Sequence, residues 1–231
     1  MKLEFLCGMG ASSKGRESAE GCTCPPPCPV REEWVAGQQE SDAATFSQLR
    51  QEKTTEQYRS QIEKDVPRTY PTTLAFTNPT FTARLEEVLG VYSVYDMEVG
   101  YVQGMNTLAA VLLFHVKDTE PTFWALVDLM ECHELRLNYL PNMQQLKEHC
   151  EGIEKLIGAH FPELKTHASS LGVDLKMVLH GWVLTLMSKI VPLEHMHRVL
   201  GSFRQHGWKF LYKLVLVVVR TFKEGLLLAE D

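Results

Sequence analysis

Apolar residues recur along most of this chain at intervals of three and four, the period of helices with one face turned to a core. Phe81, Leu85, Val88, Leu89 and Tyr92 form one such stripe. Asn78-Pro79 ahead of it is a helix start, because proline's fixed φ and missing N–H suit the first turn. Met105, Leu108, Ala109, Leu112, Leu113 and Val116 form a second stripe, after Gly100. Phe123, Trp124, Val127 and Met130 follow Pro121, and Met143, Leu146, Cys150, Ile153 and Ile157 mark another helix. Upstream, Thr54-x-x-Gln57 has the spacing of a capping box and predicts a helix ending near Lys64, with Tyr58 and Ile62 on one face.

The second half reads the same way. A short helix from Pro162 is stopped by Gly172, and Asp174 caps one expected to run through Ile190. Its apolar run over residues 178–190, with Trp182, reads as core. Pro192 starts the next helix, and Gly207 separates that from a last apolar helix over roughly 208–223. Val217-Val218-Val219 would suit a strand, but no partner strand is evident. With short connections throughout, the expectation is an all-α fold whose neighbouring helices run mostly antiparallel. Residues 1–40 lack apolar periodicity. Their Gly/Ser-rich stretch and Pro25-Pro26-Pro27 predict a disordered lead, and the folded domain is placed at 41–231.

Composition narrows the function classes. The 231 residues are 45% hydrophobic and 23% charged, enough for one large domain with a sizeable core. A net charge of −6 argues against nucleic acid, which wants a basic face. The start MKLEFLCGMG is too short and too broken by Glu4 for a secretory segment. The most apolar run, residues 210–219, holds Lys213, ends at Arg220 and is too short to span a bilayer. Cys7, Cys22, Cys24 and Cys28 lie in the lead with spacing poor for zinc and read as reduced thiols, with a lipidation or metal role as the alternative. Cys132 and Cys150 read as core or part-buried positions. His195-x-His197 is the nearest thing to a ligand pair, and on a helix its two side chains diverge. Neither a metal nor a cofactor is expected, and no phosphate-binding loop is present, so the chain should not bind GTP by itself.

Two stretches carry chemistry. In residues 61–71, QIEKDVPRTYP, Arg68 falls just past a helix end, where Pro67 cannot continue the helix and disfavours helical geometry at Val66. In residues 100–106, GYVQGMN, Gln103 precedes a long apolar helix. A fixed guanidinium forks onto two phosphate oxygens, and a fixed amide both accepts from water and donates. Together they are equipment for handling phosphate and water.

Ile62-x-x-Asp65-x-x-Arg68 and Tyr101-x-Gln103, extended by Gly104 and Met105, resemble in order and spacing the two fingerprint motifs of the TBC-domain family of Rab GTPase-activating proteins. The likeness covers roughly residues 45–231. It implies an all-helical, two-lobed, V-shaped fold, with residues up to about 140 in the catalytic lobe. It also implies a GTP-bound Rab as partner, with Arg68 and Gln103 as arginine and glutamine fingers acting in trans, so that this chain is an activator of another protein's GTPase. Ile62 would be a core anchor. Asp65 would hold Arg68 or nearby amides, unless it is a solvent-facing helix-end carboxylate. Tyr101 would pack with its hydroxyl on a loop partner, Gly104 would allow close backbone approach, and Met105 completes the motif. A cytoplasmic protein recruited to endomembranes follows from where Rabs sit.

Three departures stand beside the likeness. Arg31-Glu32-Glu33-Trp34 is one residue short of the family's Arg-to-Trp spacing, Arg198-Val199-Leu200-Gly201 lacks its Trp-Asp pair, and the chain stops soon after Lys223. A version of the domain trimmed at both ends is expected. A catalytically silent scaffold of the same fold therefore remains the alternative.

Overall fold

A computed structural model describes residues 40–229. The lead, its four cysteines and Arg31–Trp34 lie outside the described residues, apart from Glu40 at the end of the lead.

Ten helices run α1 Glu40–Gln51, α2 Glu56–Asp65, α3 Pro79–Tyr95, α4 Met105–Val116, α5 Thr119–Glu131, α6 Gln144–His160, α7 Pro162–Ser170, α8 Leu175–Leu184, α9 Met196–His206 and α10 Trp208–Leu227, and no strand occurs among the described residues. The all-α expectation holds. Helices α1–α5 pack chiefly on one another, and α6–α10 do likewise. The 3₁₀ turn Leu135–Asn138 packs on both α5 and α6 and joins the groups.

Helix α4 is the centre. Met105, Val116 and every residue over 108–113 are at most 1% exposed. A helix apolar all round has no face to offer solvent, so neighbours must cover it. Helices α3 and α5 supply that cover, and α5 also packs on α3.

The caps explain several boundaries. Asn78 accepts from Thr80 N at 2.8 Å and Asp174 from Lys176 N at 2.9 Å, each satisfying a first-turn amide. Helix α2 starts one residue later than the capping-box spacing predicts. Its cap is Thr55, which accepts from Tyr58 N at 3.5 Å.

Helix α1 has no counterpart in the sequence reading. It presents one buried aromatic, Phe46, whose ring meets Phe123 at 5.3 Å, with Arg50 paired to Glu87 at 2.5 Å. One anchor per three turns leaves too faint a period to find.

Helix α8 ends at Leu184 rather than Ile190, because Leu186 and Met187 take left-handed backbone angles (φ 48° and 66°). Both side chains are fully buried there, which offsets the strain. Val178, Ile190 and Cys132 are exposed, so these are not core positions, while Trp182 is half-buried and packs against the core.

Two histidines meet where α4 ends and α9 begins. His115 Nε2–H donates to the Leu193 carbonyl at 3.1 Å, and its ring lies 5.5 Å from that of buried His197. Burial pushes the His115 imidazole down from 6.5 to about 4, with His197 and Lys117 adding to the effect against the Leu193 bond. The unfolded chain therefore takes up this proton first. The stability from neutral His115 is complete above pH 6.5 and is lost as pH falls toward 4. Between pH 7.5 and 5.0 this one group should account for about 1–2 kcal/mol of lost stability. Denaturant melts at the two pH values, compared with His115→Gln, check it: the variant should show a shallower pH dependence.

Candidate functional site

Arg68 closes the 3₁₀ turn Val66–Arg68 that continues α2. Pro67 does not expel Val66 from helical geometry. Val66 keeps φ −60° and ψ −47°, its N–H bonds the Ile62 carbonyl, and its side chain is 2% exposed. Core burial outweighs the steric preference, so the chain tightens into a 3₁₀ turn and breaks at Thr69 instead (φ −81°, ψ 111°). Ile62, 3% exposed, anchors the helix beneath.

The buried carboxylate of Asp65 joins two loops. One oxygen, Oδ1, pairs with Arg68 Nη2, and the other accepts from the Tyr101 hydroxyl at 2.7 Å. The Asp65 side chain is 6% exposed against 57% for Arg68, so the pair roots the guanidinium while leaving most of it in solvent. Burial pushes the Tyr101 hydroxyl well above its usual range, and the Asp65 carboxylate adds to this, so the phenol stays a donor. A buried carboxylate left unpaired would be costly, and here both oxygens are engaged.

The glutamine loop is shaped by two glycines. At Gly100 (φ 61°) a Cβ would lie 2.1 Å from the Tyr58 ring. At Gly104 (φ 112°) the nearest neighbour of a Cβ would be Leu184 at 3.7 Å, so the left-handed backbone, not crowding, requires glycine. Gly104 is the residue ahead of α4, and Met105, fully buried, accepts from Val102 N through Sδ at 3.3 Å. Gln103 stands exposed at this bend, and its amide makes no hydrogen bond with a described residue.

Arg68 and Gln103 line one open cleft of about 360 Å³. Thr69, Asn106 and Lys189 are among the further residues on its wall that were not singled out from the sequence. Asn106 Nδ2 donates to Thr69 Oγ1 at 2.7 Å, and its Oδ1 accepts from Gly104 N at 2.9 Å. A polar residue at the start of an otherwise apolar stripe was the available signal for it. Lys189 arrives from the turn after α8, and nothing in the sequence associates it with this cleft. That turn is held by Tyr70, itself left-handed (φ 48°), whose hydroxyl donates to the Ser188 carbonyl at 2.7 Å. The Tyr139 hydroxyl donates to the Leu184 carbonyl just upstream. The Lys189 side chain is exposed and makes no ion pair with a described residue. Asp65 offsets the charge of Arg68, so Lys189 is the cation on the cleft wall that no described carboxylate pairs with.

The arm leading into the glutamine loop is clamped separately. Arg136 forks onto Asp96 at 2.6 and 3.0 Å and reaches Glu98 at 2.6 Å. Burial alone would raise the Asp96 carboxyl, but the Arg136 fork and the Val99 amide outweigh it and hold the group below its ordinary range. Among the described residues no group of three His, Cys, Asp or Glu side chains is placed to hold a metal.

Residues 30–227 match the Rab-GTPase-TBC domain family. The chain is 33% identical over 171 residues to the Rab GTPase-activating protein eat-17 of Caenorhabditis elegans, covering 74% of this chain and 19% of that protein. It is 30% identical over 173 residues to the rat TBC1 domain family member 2A, with the same coverage on both sides. It thus spans about a fifth of the length of these relatives. Human growth hormone-regulated TBC protein 1 is 28% identical over 197 residues, 84% of this chain and 58% of that one. Among solved structures, the Chlamydomonas flagellar RabGAP TBC domain superposes with a TM-score of 0.73 at 28% identity, over 87% of this chain and 66% of that one. The Ypt/Rab-GAP domain of Gyp1p shares the fold at 17% identity, with a TM-score of 0.64 over 87% of this chain and 69% of that one.

The Asp65 geometry generates a stability prediction. Tyr101→Phe leaves one oxygen of a buried carboxylate without its donor and should destabilise the domain by about 1–3 kcal/mol. Urea unfolding measures this, and a change under about 0.5 kcal/mol would mean that water replaces the hydroxyl.

Proposed function

This chain belongs to the Rab-GTPase-TBC domain family, and we propose that it accelerates GTP hydrolysis by a Rab GTPase, with Arg68 and Gln103 entering the partner's active site together. The observation that carries this reading is the shared cleft: an exposed guanidinium and an amide with no hydrogen-bond partner among the described residues line it, on loops joined through Asp65 although the bonded residues are 36 positions apart. The unit that acts is the domain over residues 41–231. Its partner is the GTP-loaded Rab, met from the cytoplasm at an endomembrane surface. No helix of the described residues is long and apolar enough to cross a membrane.

A slow GTPase stabilises poorly the charge that develops on the transferring phosphoryl group, and it orients the attacking water poorly. Arg68 supplies the first. Asp65 holds one nitrogen of the guanidinium while most of the group stays exposed, which leaves the remaining N–H groups to meet phosphate oxygens. Gln103 supplies the second. Its carbonyl accepts a hydrogen from the water while its NH₂ donates to phosphate or backbone. Neither role needs a proton transfer from this chain, so catalysis here is positioning and electrostatics. The nucleotide comes with the partner.

A second reading, a scaffold that binds a GTPase without accelerating it, is favoured by one observation: Arg198-Val199-Leu200-Gly201 stands where the family carries a Trp-Asp pair. Single-turnover hydrolysis over a panel of GTP-loaded Rabs separates the two. Acceleration supports the fingers; binding without acceleration supports the scaffold.

On a responsive Rab, Arg68→Ala should lower the acceleration by about 10²–10³ or more. Arg68→Lys should fail nearly as badly, because lysine keeps the charge and loses the fork. Gln103→Ala should also slow the reaction. The double variant should lose less than the product of the single losses, since both residues act on one transition state. Kd for the GTP-loaded Rab should change far less than the rate in each case. An Arg68→Ala protein with wild-type acceleration would overturn the finger mechanism.

Lys189 lines the same cleft with no carboxylate partner among the described residues. Lys189→Glu should weaken binding of the GTP-loaded Rab several-fold at low ionic strength, and the deficit should shrink as salt is added. A binding isotherm at two salt concentrations tests this. Equal affinities at both would place Lys189 outside the contact.

A further inference from the structure

We infer that Asn106 is a positioning residue that keeps the arginine loop and the glutamine loop at one separation, an inference that rests on the finger reading above. Its side chain is 5% exposed and lies in the first turn of α4, the most buried helix of the fold. One arm of its amide reaches Thr69, the neighbour of Arg68, and the other reaches Gly104, the neighbour of Gln103. The bonded partners Asn106 and Thr69 are 37 residues apart in sequence.

Donor and acceptor chemistry sets which way the amide points. The Thr69 hydroxyl donates its single hydrogen to the Asp65 carbonyl at 2.8 Å, so toward Asn106 it can only accept. Nδ2 must therefore face Thr69, and Oδ1 is left to accept from the Gly104 N–H, an amide that precedes α4 and has no partner within the helix. Each arm fits one end only. Thr69 is 4% exposed, so water does not compete easily for these bonds. A flip of the amide would break both contacts at once, so the two loops are tied by one rigid group on a rigid helix. Asp65 joins the same loops through charged and phenolic groups, whereas Asn106 joins them backbone-side, beside the residues that carry the fingers.

The test uses variants that cut this link from either end. Asn106→Asp keeps an acceptor for Gly104 N–H but sets a second oxygen against Thr69 Oγ1. Thr69→Val keeps the shape of Thr69 and removes its acceptor. Thr69→Ser keeps the hydroxyl and serves as the rescue. In the free protein, hydrogen exchange at the Gly104 amide should quicken by about tenfold in Thr69→Val and stay near wild type in Thr69→Ser. On a responsive Rab, Asn106→Asp and Thr69→Val should each lower the saturated single-turnover rate by about 10- to 100-fold, the size of a roughly 1 Å misplacement. Kd should stay within about threefold, and the double variant should be no worse than the poorer single variant. The inference is overturned if Gly104 exchange is unaffected by Thr69→Val, if the two losses multiply, or if both variants keep the wild-type rate. Arg68→Ala run alongside separates the two claims. Wild-type acceleration in that variant sinks the finger reading, while the exchange measurement still decides whether Asn106 couples the loops.

Discussion

A carboxylate with almost no access to water must have its charge met inside the protein, and Asp65 is in that position. It meets the requirement by drawing two distant loops together: Arg68 from the end of α2 and Tyr101 from the approach to α4. The reach of this one side chain therefore limits how far these loops can separate. Everything proposed for the cleft depends on that pairing, because an arginine on a free loop would sample many positions before it met a phosphate. The ion pair is valuable here for geometry rather than stability, since burying a charge tends to offset what the pair returns.

The cleft also depends on what lies beneath it. Helix α4 is covered on every side, so its first turn cannot shift without disturbing the core. Gly104 permits the abrupt entry into that helix, and Gln103 is left at the rim, one residue from a fixed point. Gln103, proposed to meet the partner, sits at the edge of the rigid element, while the helix itself carries mostly packing. This division is common where a site must be both exposed and precise. The third contributor to the wall, Lys189, comes from a turn that two tyrosine hydroxyls hold by its backbone carbonyls. The second group of helices thereby reaches the cleft built by the first.

Most of the fold was legible in the sequence because helices advertise themselves locally. The stripe at Phe81, Leu85 and Val88, the stop at Gly172 and the cap at Asp174 each follow from a period or a side-chain bond within a few residues. The failures share one cause. Helix α1 is held by Phe46 against Phe123, helix α8 stops early because Leu186 and Met187 are pulled into the core, and Val66 stays helical beside a proline because its side chain is buried. In each case a contact with a remote segment overrode the local preference.

The candidate site divides along the same line. The sequence by itself determined the residue types and their intervals: a guanidinium behind a helix end, an amide ahead of an apolar helix, and the glycines that the backbone between them requires. Those are properties of short segments, and short segments carry them whatever surrounds them. Only the tertiary structure decided that the two segments share a cleft, that Asp65 spends one oxygen on each loop, that Asn106 turns its amide between Thr69 and Gly104, and that Lys189 completes the wall. Hydrogen bonds reach about 3 Å, and no pattern along the chain says which residues, tens of positions apart, the packing of α4 against its neighbours will bring within that distance.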